Sequence, residues 1–79
     1  RLLVSPVQDS LAVNEVVRKA LQQLPASSQM LLLMKYVDGL KVAQIAKLLG
    51  KTFKTVEAEL WRSKRFFRQL YLEIDARER

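Results

Sequence analysis

The sequence predicts an all-α domain, a four-helix bundle that contains a helix-turn-helix and closes on a long last helix. Three observations predict it. Apolar residues recur at helical spacing in four successive segments. The two prolines and two glycines fall at the segment boundaries and not inside the segments. The one strand-like run, Met30 to Met34, has no other stretch to pair with.

Residues 1–7 read as a linker remnant, 8–75 as the domain, and 76–79 as a frayed tail. Ser5-Pro6-Val7-Gln8 resembles a capping box with proline at the first helical position, although Asp9 or Ser10 could cap a later start. The first helix is expected to run to about Leu24. Val13, Val17, Ala20, Leu21 and Leu24 form its buried stripe, and Asn14, Glu15, Arg18, Lys19 and Gln22 stay wet. Pro25 ends it by disfavouring helical geometry in the residue before it. A second helix follows from Ala26 to Val37, capped by Ser27 or Ser28 or begun directly at Ala26. Its apolar run predicts cover on more than one side. Asp38-Gly39 turns the chain out of it.

Lys41 to Leu49 is the third helix, with Val42, Ile45, Ala46 and Leu49 as one stripe. Gly50 stands where a left-handed terminating residue belongs, and Thr52 stands where an N-cap oxygen would start the next helix. The fourth helix keeps its period from Phe53 to about Ile74, on the order of 30 Å. Asp75 to Arg79 is expected to fray. Two helices joined by so short a turn make a helix-turn-helix, whose second helix can enter the DNA major groove.

At roughly 100° per residue the fourth helix divides into two sides. Phe53, Val56, Leu60, Ser63, Phe67, Leu70, Tyr71 and Ile74 share one. Lys54, Ala58, Trp61, Arg62, Arg65 and Arg68 share the other. Glu57 lies at the edge of the cationic side and Glu59 points well away from it. Phe66 and Leu72 fall outside the core stripe and leave apolar surface over, which can mark a partner site.

Charge placement agrees. The 79-residue chain carries a net charge of +6, and the span from Lys41 to Arg68 accounts for the whole excess. A basic patch confined to one motif suggests a phosphate-bearing partner. With no cysteine and no histidine, disulfides and thiolate or imidazole zinc sites are excluded. No cofactor, metal or small-molecule substrate is expected, and no enzymatic activity, because the carboxylates are scattered along wet faces. No apolar run approaches the ~20 residues that span a bilayer, so no membrane is expected and a cytoplasmic location is. The chain opens on Arg1, as expected of a fragment of a longer protein.

A set of residues in fixed order carries a family resemblance. They are Ala20-Leu21, Leu24-Pro25, Leu31-Leu32-Leu33 with Tyr36, Asp38-Gly39-Leu40, Ile45-Ala46, Leu49-Gly50, Thr55-Val56, Leu60 and Arg62. Together they resemble region 4 of a bacterial RNA polymerase sigma factor, most of all the extracytoplasmic-function group. The resemblance covers about residues 16–72. It implies recognition of the minus-35 promoter element, docking on the polymerase flap, and masking by an anti-sigma factor. It places Thr55-Val56 at the start of the recognition helix and Glu57, Ala58, Trp61 and Arg62 toward the groove. The chain departs from the family pattern at Glu57 and Glu59, where a basic residue is usual, and at Ala58, where serine is. Lys41 and Gln44 replace the usual capping residue and glutamate of the third helix.

The expected function is therefore promoter recognition. Lys41, Lys51 and Lys54 hold phosphates, Arg62 with Arg65 reads base edges, and Ala58 and Trp61 meet thymine methyls or sugar. Two other readings stand beside it. One is a protein-interaction module with decayed DNA contact, motivated by Glu57 and the spare apolar surface. The other is the DNA-binding domain of a LuxR-type response regulator, which has a similar four-helix plan.

Overall fold

The computed structural model describes residues 15–78 and is helical throughout. Residues 15–22 form α1, Ala26–Tyr36 α2, Val42–Leu49 α3 and Phe53–Arg77 α4. The expected linker remnant, the capping box at Ser5 to Gln8, and Val13 and Asn14 of the expected first-helix faces lie outside the described residues. Helix α4 is the spine, since α2 and α3 both pack on it and also touch each other.

Leu24, Leu31, Leu32, Ile45, Ala46, Val56 and Leu60 make one buried cluster drawn from α2, α3, α4 and the α1–α2 turn. Phe67 and Leu70 extend it along α4, and Ile74 is buried further on. This is the apolar side expected of α4, with one exception. Phe53 is 49% exposed. As the first residue of the helix, it projects past the end of the cluster.

The first helix ends at residue 22, two residues earlier than the stripe suggests. The Gln23 and Leu24 amides donate back three residues, to Ala20 and Leu21. Pro25 disfavours the α conformation at Leu24, so the chain tightens to i+3 bonds before it. Leu24 stays in the core all the same. Pro25 then acts as the N-cap of α2, and neither Ser27 nor Ser28 makes a capping bond. The Gln29 side chain instead donates to the Leu24 carbonyl at 2.9 Å, tying the two helices at their junction.

Helix α2 ends at Tyr36, with Val37 as its C-cap. Its apolar run is not covered all round. Leu31 and Leu32 are buried, but Met30 is 51% and Leu33 41% exposed. Five consecutive apolar residues span all sides of a helix, and the packing of α4 and α3 on it leaves Met30 and Leu33 open.

Helix α4 continues to Arg77, so the expected fraying after Ile74 does not begin there. Its far end is tied back to α1 by an ion pair between Lys19 and Glu78. Twenty-five residues give it a length of ~37 Å.

The burial pattern orders the cost of substitutions. Ile45→Ala, at a fully buried site, should cost about 2–5 kcal/mol in urea denaturation. Leu48→Ala, one turn along and 65% exposed, should stay within about 0.5 kcal/mol. Equal costs at the two positions would contradict the assigned faces of α3.

Candidate nucleic-acid interface

The junction between α3 and α4 is set by three local devices. Lys41 is the N-cap of α3, and its backbone amide donates to Gln44 Oε1 at 2.8 Å. A lysine side chain has no acceptor, so only this half of a capping box can exist here. Gly50 ends α3 at φ 67°, and the Lys51 amide reaches back to the Ala46 carbonyl at 2.9 Å. A Cβ at Gly50 would meet nothing within 4 Å, so the left-handed backbone alone selects glycine there. Thr52 caps α4 as expected, its Oγ1 accepting from the Thr55 amide at 3.1 Å. The Thr52 hydroxyl in turn donates to Thr55 Oγ1 at 2.8 Å. Thr55's own hydroxyl hydrogen is then available to an acceptor outside the helix.

These devices leave α4 with two unlike flanks. Val56 has no exposed surface and Leu60 only 5%, while Trp61 is 60% exposed. Lys54, Ala58, Arg62, Arg65 and Arg68 are exposed with it, and so is Glu57 at the margin. Among the described residues no carboxylate lies within ion-pair distance of Lys54, Arg62, Arg65 or Arg68. The Arg65 guanidinium stacks on the Trp61 ring, 5.3 Å from its centroid. One turn of helix thus presents a flat aromatic and cationic plate to solvent. Lys41 is exposed at the far end of α3, one short helix away from the turn.

Lys51 is placed differently from the other cations. Its ammonium is already engaged, donating to both oxygens of Glu59 at 2.9 and 3.0 Å. The sequence expectation set Glu59 well apart from the cationic side. Glu59 lies half-buried against the turn, lining with Lys51 and Arg62 a groove of about 450 Å³. The pair spans eight residues and a change of helix, so no i,i+4 rule could have found it.

A larger groove of about 800 Å³ runs along the other flank of α4. Val17 and Leu21 of α1, Leu33 and Val37 of α2, and Phe67 of α4 give it an apolar floor. Trp61, Lys64, Arg65 and Arg68 form its α4 wall. Tyr36 lies beneath two ammonium groups, Lys64 at 5.6 Å and Lys35 at 6.0 Å. Tyr36, Lys35 and Lys64 were not among the expected site residues, and the signal for them was the exposed remainder of the α2 apolar run.

The arrangement offers donors and cations to an anionic partner. Among the described residues there is no cluster of three carboxylates that could hold a metal ion. No helix among them is long and apolar enough to cross a membrane.

Residues 14–67 match the profile of the family described as Sigma-70, region 4. None of the curated proteins compared with the chain matches it.

The cap on α4 can be measured directly. Thr52→Ala should lower stability by about 1 kcal/mol, and Thr52→Ser should retain most of it. Denaturant melts that find alanine and serine equivalent would remove the capping role.

Proposed function

The chain belongs to the sigma-70 region 4 family, and on that premise we propose that it reads the minus-35 promoter element through the exposed flank of α4. The family is one of DNA-binding domains that work with RNA polymerase in transcription, and the domain is not a catalytic one. This membership sets aside the response-regulator alternative. The finer assignments are a sigma factor of the extracytoplasmic-function group, acting in the cytoplasm.

The observation that carries the proposal is the rotation of α4. Trp61 and Arg62 face solvent while Val56 and Leu60 face the core. Inserted into a major groove, this flank brings Arg62 to base edges, where a guanidinium matches guanine at two atoms. Arg65, stacked on Trp61, is held beside it. Ala58 and Trp61 offer apolar contact to thymine methyls. Glu57 can accept from a cytosine amino group. Lys41 and Lys54 hold phosphates and fix the register, Lys51 is open to a phosphate only when its pair with Glu59 is broken, and Thr55 adds a hydroxyl donor at the start of the helix.

Sequence preference and total affinity separate the roles. In a selection from randomised duplexes, Arg62→Ala should relax preference at one or two positions, a loss of about 1–3 kcal/mol of discrimination. Lys54→Ala should weaken every duplex alike and lower the salt slope by about 1. Uniform loss across all duplexes from Arg62→Ala would remove its base-reading role.

A second reading concerns protein partners, and the large groove favours it. An apolar floor walled by Lys64, Arg65 and Arg68 suits an amphipathic helix with acidic edges. The polymerase flap and an anti-sigma factor are the partners this reading assigns to it. Leu33→Asp, at a half-open position on the floor, should abolish capture of the polymerase flap and leave duplex affinity within twofold. Undiminished capture would place the flap elsewhere.

A further inference from the structure

Among the described residues Lys51 is the one cation of the candidate interface whose charged group is paired with a carboxylate. Its backbone is pinned, because its amide donates to the Ala46 carbonyl at the end of α3. Thr52 follows at once as the cap of α4. The side chain then reaches forward to Glu59 and donates to both carboxylate oxygens, at 2.9 and 3.0 Å. Glu59 keeps a quarter of its side-chain surface exposed and Lys51 two fifths. A pair this open adds little to stability. Fold stability therefore gives no strong reason for its presence.

We propose that Glu59 is an intramolecular phosphate mimic that restrains the hold of Lys51 on the DNA backbone. The inference rests on the DNA-binding reading above and names a regulator of that same surface. Two carboxylate oxygens on one ammonium present what two phosphate oxygens would present. A duplex phosphate that approaches the turn must displace Glu59 to reach Lys51. Arg62 lines the same small groove, one turn further along α4. Glu59 thus sits between a phosphate contact and a base contact, and repels a backbone that drifts toward either. The effect is to take affinity from the sequence-independent part of binding and leave the base-reading part.

Salt dependence reads this directly. A cation already neutralised by a carboxylate releases no counterion from DNA when a phosphate passes by, whereas a free one adds about 0.9 to the slope of log K against log salt. Four forms of the chain are compared on one duplex between about 50 and 200 mM salt: the parent, Glu59→Gln, Lys51→Gln and the double variant. Glu59→Gln should steepen the slope by about 0.9 and tighten binding on the order of fivefold at the lower salt. Lys51→Gln alone should leave the slope of the parent unchanged. The double variant should lose the gain made by Glu59→Gln.

A gain that survives in the double variant would mean that Glu59 acts on a group other than Lys51 and would overturn the proposal. So would a full unit of slope lost by Lys51→Gln alone. Elution from immobilised heparin repeats the four-way comparison on a polyanion without bases. Read from retention at several salt concentrations, the expected order of slopes there is Glu59→Gln steepest and the other three together. If no duplex is bound but this heparin order holds, the promoter reading fails and the restraint on Lys51 stands. If duplexes are bound and the heparin order is flat, the restraint fails and the promoter reading stands.

Discussion

Val56, with no exposed surface, and Leu60, one turn later, press α4 against Leu31 and Leu32 of α2 and Ile45 and Ala46 of α3. Burying each such aliphatic side chain contributes about 1.5–3 kcal/mol. Turning α4 by one residue position would bring these groups into water and drive Trp61 or Arg62 toward the core. The loss of burial and the desolvation of a guanidinium both oppose it. The whole stability of a small domain is about 5–15 kcal/mol, so this rotation is the one the chain can adopt. Every statement about which side chains face a partner depends on that lock.

Rotation alone does not aim the helix. Its direction is set at the turn, by groups that contribute no core burial. Gly50 supplies the left-handed backbone, the Ala46 carbonyl takes the Lys51 amide, and Thr52 starts the next helix within two residues. The connection is too short to flex, so α3 and α4 are held at one angle by hydrogen bonds while the shared apolar cluster holds them at one distance. The work is divided between polar bonds at the joint and apolar contact along the shafts. A turn with a longer or glycine-poor connection would keep the core and lose the aim.

Much of this was legible in the residues because it depends on local rules. Periodicity marked four helices, Gly50 and Thr52 marked the joint, and a wheel drawn at fixed spacing separated Val56 and Leu60 from Trp61 and Arg62. What was not legible depends on tertiary placement. Phe53 has the right angle for the core but lies beyond its end. The run from Met30 to Met34 predicts cover on more than one side, and α3 and α4 both pack on its helix, yet which of its residues stay open is set by where those neighbours lie, and Leu33 is left lining a groove. Lys51 and Glu59 are eight residues apart across a turn, and their meeting follows from the angle between helices, which no spacing rule contains.

The two flanks of α4 are not independent surfaces. Trp61, Arg65 and Arg68 belong to the solvent-facing cationic side and also form the wall of the apolar groove. A partner helix seated in that groove would contact the Trp61 and Arg65 stack from one side, and a duplex would contact it from the other. Because the stack joins two rigid groups on one helical turn, moving it for one ligand changes what the other ligand meets. Coupling between two ligands requires such a shared element with a differential contact to each. Here the shared element is a single turn of α4. A partner that only fills the floor beside Leu33 and Phe67 leaves DNA binding untouched, whereas one that also takes the Arg65 guanidinium competes with it. Under the proposed DNA-binding reading, whether a protein partner assists or masks this flank is thus decided by how far up the groove wall its acidic groups reach.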